Sequence, residues 1–270
     1  MILVVGHYCH DTLIGNDGEH RALGGSAAYV SAVLEALGER HRVFTKVGAD
    51  FRYGAQVAQP PRIAGARTTS FVDDYRGGER RERVDAVCEP IFPHDIQGSY
   101  EVGIACGVAG EVLPETISAM RAACRVLVAD AQSILREISP AGEVLLRPPH
   151  PAVLSQLDFL KASRREAESL DVNALRQRLI LLITDGPRGC TVLNSGTQTS
   201  IPPFPANERD PTGAGDCFLA GFAAGIARGL DPIRAARIGA YCGARAVEQI
   251  GVPRLNAEEA RAATRLTSKP

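Results

Sequence analysis

Asp210-Pro211-Thr212-Gly213-Ala214-Gly215-Asp216-Cys217-Phe218 runs into an apolar stretch that continues to Ala227. Thr212 is a good N-cap, so a helix is expected to start here. Gly213 and Gly215 leave backbone N–H groups unobstructed at the positive end of that helix, which makes an anion site suited to phosphate oxygens. Asp216 then falls in the first turn, beside the anion. A carboxylate there can take the proton of a hydroxyl that attacks a bound phosphate. An ordinary capped helix with an acidic first turn would account for Asp-x-Thr-Gly alone, but it leaves the full nine-residue string unexplained.

Upstream, short apolar runs alternate with helical patterns. Residues 2–5 read as a buried strand, 26–37 as a helix stopped by Gly38, and 43–47 as the next strand. The runs at 102–105, 126–129, 157–160 and 179–184 read as further strands, and a helix over 114–124 starts on a proline. Strands alternating with helices predict a parallel sheet covered on both faces. Helices are expected at 214–228, 232–249 and 257–266. Two segments break the alternation: 16–22 is polar and turn-rich, and 68–88 alternates like exposed antiparallel strands around Gly77-Gly78. Together they predict a small β flap, from about 12–23 and 68–88, over one edge of the sheet. No repeat or low-complexity tract divides the chain, so one domain over 1–270 is expected.

Lys+Arg is 30 and Asp+Glu is 31 in 270 residues, a net charge of -1, which gives no electrostatic reason for nucleic acid or an anionic membrane as partner. A hydrophobic content of 45% with 23% charged residues predicts a folded core rather than disorder. No apolar stretch reaches the ~20 residues of a transmembrane helix. The N-terminus runs into a strand without a basic region before it, so no signal peptide and a cytoplasmic location are expected. Seven dispersed cysteines, without a Cys-x-x-Cys pair, read as reduced core thiols rather than a disulfide frame or zinc site.

The 210–218 string resembles the C-terminal signature of the PfkB, or ribokinase-like, sugar kinases. Other strings fit in the same order: Gly24-Gly25-Ser26-Ala27-Ala28 is similar to the family's N-terminal glycine pair, which borders the sugar, and Asp11 matches its acidic ligand for substrate hydroxyls. Lys161-Ala162-Ser163-Arg164-Arg165-Glu166 resembles its Asn-x-x-Glu element with Ser163 in place of Asn, and Thr184-Asp185-Gly186-Pro187-Arg188-Gly189 resembles its nucleotide-contacting strand-turn. The resemblance runs from about 2 to 254. Within the family, Leu3-Val4-Val5-Gly6-His7-Tyr8-Cys9-His10-Asp11, Lys46-Val47-Gly48-Ala49-Asp50-Phe51-Arg52-Tyr53 and Phe159-Leu160-Lys161-Ala162-Ser163 are similar to plant-type inositol 3-kinases.

The resemblance implies a three-layer α/β/α sandwich with a mostly parallel sheet and a β lid. It implies ATP-dependent phosphorylation of a polyol hydroxyl, myo-inositol first. Asp216 would be the base, and Gly213, Ala214 and Gly215 would hold the transferring phosphoryl group. Asp11, Gly24, Gly25 and Asp216 would bind the acceptor; Ser163, Glu166, Thr184, Gly186 and Gly189 would join Gly213, Ala214 and Gly215 in binding ATP. Mg²⁺ would ride on the ATP phosphates with Glu166 near it through water, and a monovalent cation such as K⁺ would lie near Asp210. A monomer and a homodimer both fit. Two departures stand out: Tyr29 and Ala240 occupy positions where relatives often carry Asn.

Competing readings of single features stay open at this level. No Lys follows a Gly, so there is no Walker A loop. The string at 213–218 lacks the third small residue of a dinucleotide fingerprint. His7, His10 and Asp11 are expected at a strand end and turn rather than round a metal. Glycine-rich 103–110 reads as a strand-to-loop signal that the resemblance places in the cleft. Arg80, Arg81 and Arg83 read as a solvated flap face, and Cys217 as a packed helix residue. For function, another PfkB-type kinase acting on a sugar or nucleoside, and a non-catalytic binder on the same fold, remain the alternatives.

Overall fold

The computed structural model describes residues 1–16, 18–76 and 81–266; Gly77, Gly78 and Arg80 lie outside the described residues. The principal strands are β1 (Ile2–Val5), β2 (Cys9–Gly15), β3 (Gly18–Gly24), β4 (His41–Phe44), β5 (Ser70–Asp74), β6 (Arg81–Ala86), β7 (Tyr100–Ala105), β8 (Cys124–Asp130), β9 (Phe159–Ser163), β10 (Ile180–Thr184), β11 (Cys190–Leu193) and β12 (Gln198–Ile201). The principal helices are α1 (Ser26–Ala36), α2 (Pro114–Ala123), α3 (Ala214–Ala227), α4 (Pro232–Ala246) and α5 (Ala257–Arg265).

Among the described residues the main sheet has the order β12-β11-β10-β9-β8-β7-β1-β4. It is parallel from β4 to β10 and antiparallel at β11 and β12. Side chains along a strand alternate between faces, and here both faces are dry. Ile2 and Val4 enter one core with α1, α3 and α4, while Leu3 and Val5 enter the other with α2. That is why this stretch reads as an unbroken apolar run. The same rule puts Phe159 on the α3 side, edge-on to Phe222 with ring centroids 5.1 Å apart. The result is the three-layer α/β/α arrangement expected.

A second sheet, β3-β2-β5-β6, stands apart from the first. Asp11 in β2 pairs antiparallel with Ala22 and parallel with Phe71; Asp73 in β5 pairs antiparallel with Glu82. The segments expected as a flap run in this sheet. Residues 18–22 lie in β3 rather than in a turn, because β2 and β3 zip together as far as the pair Gly15 and Gly18; Asp17 lies outside the described residues. His10 and Asp11 accordingly lie within β2, not at a strand end. Arg81 and Arg83 are exposed on β6, and Arg83 pairs with Asp85 at 2.9 Å.

Two elements escape the sequence pattern. The β11–β12 hairpin is short, and its outer strand β12 is largely polar; its turn is held by Asn194 Oδ1, which accepts from Gly196 N–H at 3.1 Å and Thr197 N–H at 2.9 Å. Helix α2 passes into β8 with no loop, since strand geometry begins at Cys124. The strands β8, β9 and β10 end at Asp130, Ser163 and Thr184. Helix α3 starts at the same edge, so its N-terminus meets the carboxyl ends of the parallel strands, where such sheets bind ligands. The cysteines are buried free thiols, as their dispersed pattern predicts.

Candidate active site

The start of α3 differs from expectation in one residue. Gly213, not Thr212, is the N-cap, with φ 73° and ψ 0°, and no side chain caps the helix. Thr212 precedes the cap and its Oγ1 makes no capping bond; its N–H donates to Asp210 Oδ1 at 2.9 Å, while Asp210 Oδ2 accepts from Gly251 N–H at 3.1 Å. Asp210 thus ties the loop before the helix to the loop after α4. The left-handed turn at residue 213 favours glycine, and a Cβ there would lie 2.1 Å from the Tyr29 ring. Tyr29 therefore fills the space beneath the anion site, which accounts for a departure from the family pattern. The first N–H groups of α3 stay open toward the cleft with no side chain competing for an anion.

Asp216, in the first turn of α3, is held by two neighbours. Gln132 Nε2 donates to Asp216 Oδ1 at 3.2 Å and to Ser26 Oγ at 2.7 Å, and Ser26 itself bonds the carboxyl. Burial pushes the Asp216 carboxyl above its ordinary range, and the Lys161 charge and the Ser26 bond pull part of that back. A carboxylate raised in this way is a better proton acceptor than one in water.

On one side of Asp216 lies a cleft of about 410 Å³. Asp11, Asp73 and Glu82 of the small sheet wall it, with Arg136 and Ser26. Arg136 pairs with Glu82 at 3.6 Å. Vicinal carboxylates, a guanidinium and hydroxyls are what a small polyhydroxylated molecule needs, since each ring hydroxyl can both donate and accept. Gly24 and Gly25 border this wall. A Cβ on Gly24 would lie 1.9 Å from Asp11 Oδ2, so only glycine lets the Asp11 carboxyl stay in place. Gly24→Ala is expected to displace it and raise the acceptor KM at least ~10-fold, the scale of one lost charge-assisted hydrogen bond, with donor KM unchanged; steady-state kinetics with each substrate varied check this.

On the other side lies a slot of about 520 Å³, lined by Thr184, Gly186, Gly189, Ala240 and Val247 among others. Its outer wall is the 202–209 segment, where Phe204 packs edge-on against Tyr241 at 5.3 Å. Arg209 and Asp210 N–H both donate to the Val247 carbonyl, anchoring this segment to α4's end. Thr184, Pro211 and Gly215 line both the cleft and the slot, so the two meet at the start of α3.

Beneath that junction sits a charged cluster. Lys161 Nζ is 2.9 Å from Asp130 Oδ2, with the Lys161 side chain 8% exposed and Asp130 at 0%. Burial works against the Lys161 charge, but Asp130, Glu166 and Asp216 outweigh it and hold the ammonium protonated above its ordinary range. Ser163 caps the short turn that follows β9. Its N–H and Oγ both donate to Glu166 Oε2 at 2.7 Å. Burial raises the Glu166 carboxyl, yet Lys161 and these two bonds outweigh it and leave it below its ordinary range, hence ionised.

The structure thus brings Asp11, Gly25, Ser163, Glu166, Thr184, Gly213, Gly215 and Asp216 to one cleft, with Gly24 directly behind Asp11, and places Gly186, Gly189 and Ala214 along the slot. Val108 from the glycine-rich 103–110 stretch also lines the cleft. Lys161, Asp130, Gln132 and Arg136 were not singled out from sequence. A lysine in the middle of an apolar strand run was the available signal for the first of these. Among the described residues no cluster of three or more His, Cys, Asp or Glu is arranged to hold a metal ion. His7 is instead buried and hydrogen-bonded to Thr69 Oγ1 at 2.8 Å through Nδ1 and the Glu89 carbonyl at 3.0 Å through Nε2.

A family model described as pfkB family carbohydrate kinase matches residues 103–258. Inositol 3-kinase from Oryza sativa subsp. japonica is 40% identical over 290 residues, covering 99% of this chain and 73% of that protein. The chain belongs to the pfkB family of carbohydrate kinases. Inositol 3-kinase from Arabidopsis thaliana is 36% identical, over 94% of this chain and 76% of its own length. Among solved structures, a pyrophosphate-dependent kinase in the ribokinase family, complexed with a pyrophosphate analog and myo-inositol, has a TM-score of 0.82 at 22% identity, covering 97% of this chain and all of that one. Ribokinase from Thermotoga maritima has a TM-score of 0.73 at 18% identity, over 98% of this chain and 99% of that one. These two likenesses concern the fold: pfkB membership, not they, makes the chain a kinase with an alcohol acceptor.

Proposed function

We propose that this pfkB-family kinase transfers the terminal phosphoryl group of ATP to myo-inositol, giving inositol 3-phosphate. The observation that carries the reading is the placement of Asp216 and the open start of α3 between a carboxylate-walled cleft and an apolar slot. The curated relatives at 36–40% identity, all inositol 3-kinases, support the acceptor. The slot supports a nucleotide as donor, because an apolar space of about 520 Å³ next to an anion site has a base and ribose to hold, which pyrophosphate lacks.

In this reading the acceptor lies against Asp11 and Asp73 with one hydroxyl on Asp216. Asp216 takes its proton as the oxygen attacks phosphorus in line with the leaving diphosphate. The N–H groups of Gly213, Ala214 and Gly215 face the charge that develops on the phosphoryl oxygens. Magnesium ions need few protein ligands when phosphates supply the rest; Glu166, ionised at the junction, fits as the residue that would hold Mg²⁺ through water, and the ion would neutralise phosphate charge. A monovalent cation near Asp210 would order the loops that Asp210 already joins. The small sheet acts as the lid that excludes water from the cleft. The single domain spans 1–270, with the lid from about 12–23 and 68–88. The protein works in the cytoplasm as a monomer or homodimer, without nucleic acid or membrane partners; among the described residues no helix is long and apolar enough to cross a membrane.

Release of ADP from Mg·ATP is measured with myo-inositol, ribose, fructose, adenosine and inosine, each against a blank without acceptor; in a parallel series with pyrophosphate replacing ATP, release of inorganic phosphate over the same blank and formation of the acceptor phosphate are measured. The expected result is turnover confined to myo-inositol with ATP. Turnover on a sugar or nucleoside overturns the acceptor, and turnover with pyrophosphate alone overturns the donor. Ala240 gives a finer test. Ala240→Leu puts three more carbons into the slot, where crowding costs about 1–3 kcal/mol, and is expected to raise the KM for ATP about tenfold, while kcat at saturating ATP changes little.

A further inference from the structure

We propose that Lys161 is a catalytic residue whose ammonium binds an oxygen of the phosphoryl group in transit. The proposal rests on the phosphoryl-transfer reading above and deepens it at the donor side of the same site.

Strand alternation aims Lys161 at this place. Phe159 and Lys161 point to the α3 side of the sheet, while Leu160 and Ala162 point to the other core. Phe159 meets Phe222 inside α3, so the residue two positions further along the strand reaches the start of the same helix. A Cβ on Gly215 would lie 2.6 Å from Lys161 Nζ. The ammonium is therefore directly under the first turn of α3, where the anion site opens. A side chain at residue 215 would occupy the space between that charge and the anion.

A purely structural role, neutralising Asp130, explains less. Asp130 is wholly buried and does not line the cleft, whereas Lys161 does. Asp130 thus stands behind the lysine and holds it, as a positioning residue. The lysine also faces the Glu166 and Asp216 carboxylates, and the terminal phosphate of the donor would arrive in front of the same two negative groups. Lys161 sets a fixed positive charge against those two carboxylates where the phosphate would arrive. The transfer itself stays balanced: the bond from the acceptor oxygen to phosphorus forms, and the bond to the bridging oxygen of the leaving diphosphate breaks with its electrons. The acceptor proton goes to Asp216. Lys161 neither gains nor loses a proton; it stays bound to the phosphoryl oxygen throughout.

The test uses Lys161→Arg, Lys161→Met and the paired variant Asp130→Asn/Lys161→Met, which removes both charges and leaves no buried ion alone. Thermal unfolding checks the fold. Calorimetry then compares the magnesium complexes of ADP and a non-hydrolysable ATP analogue, and turnover with myo-inositol gives kcat. In the folded paired variant the preference for triphosphate over diphosphate is expected to fall at least tenfold and kcat at least a hundredfold, with myo-inositol KM within threefold of the parent. Should the methionine variants not fold, Lys161→Arg keeps the charge but moves it, and a tenfold loss of kcat with a normal melting temperature is expected. Unchanged triphosphate preference and kcat within threefold in a folded variant would overturn the proposal and leave Lys161 as a counter-ion for Asp130. The nucleotide measurement needs no acceptor, so it decides about Lys161 even if the wild-type protein proves inactive on myo-inositol.

Discussion

Asp216→Asn is expected to lower kcat by about three orders of magnitude, in the range a general base contributes, while ATP still binds. The amide keeps the shape of the carboxyl and its contacts with Gln132 and Ser26, but it cannot accept the hydroxyl proton. The loss corresponds to about 4 kcal/mol of transition-state stabilisation. Stability is expected to move the other way. Burial raises the folded-state pKa of Asp216, so the folded protein binds that proton more tightly than the unfolded chain does. Its contribution is therefore most favourable below the unfolded value and is lost as pH rises through the raised folded value. At neutral pH the ionised carboxylate is a cost to the fold, and Asp216→Asn should melt no lower than wild type. For the same reason, wild-type kcat/KM should fall on the acid side around a pKa above the ordinary carboxylate value. A pH–rate series and parallel melting curves measure both; unchanged turnover in the variant would remove Asp216 as the base.

Gly213→Ala should abolish donor binding and lower the melting temperature together. The new Cβ would meet the Tyr29 ring at 2.1 Å, and the backbone at φ 73° is strained for alanine. The strain costs about 1–2 kcal/mol, and overpacking against a buried tyrosine adds about 1–3 kcal/mol. The combination Gly213→Ala/Tyr29→Ala separates the two. Removing the ring relieves the clash but not the backbone strain, so the stability losses should be less than additive. Residues in contact show such coupling, of about 0.5–3 kcal/mol. Additive losses would mean that Tyr29 does not pack under the anion site.

How much of this was legible beforehand follows from where the physics is local. The start of α3 was readable because its information lies in nine consecutive residues. Even there the cap lies one position further on: a favourable N-cap type at Thr212 says nothing of the left-handed turn at Gly213, which the packing of Tyr29 against it fixes. The parallel core was readable from β1, since a strand buried on both faces shows as an unbroken apolar run. The β11–β12 hairpin was not, because β11 is an apolar run of only four residues and the edge strand β12 exposes Gln198 and Ser200, which looks like loop. Asp11 was found as a site residue but set at a strand end. Its position inside β2 depends on two pairings, with Ala22 of β3 in the adjoining hairpin and with Phe71 of β5 some sixty residues later, and only the first is local. Lys161 and Asp130 come from separate strands and become a pair only when β8 and β9 lie side by side. Sequence reading sees each as a single charge in an apolar run.

The most direct measurement is the fate of the terminal phosphate of ATP. The wild-type protein is incubated with ATP labelled at the γ-phosphorus and with myo-inositol, and the products are separated and their phosphate position read by nuclear magnetic resonance. The account predicts one labelled product, inositol monophosphate carrying the phosphate at the 3-position, formed in equal amount to ADP. Label appearing only in inorganic phosphate, or remaining in ATP under conditions where the nucleotide binds, would contradict it.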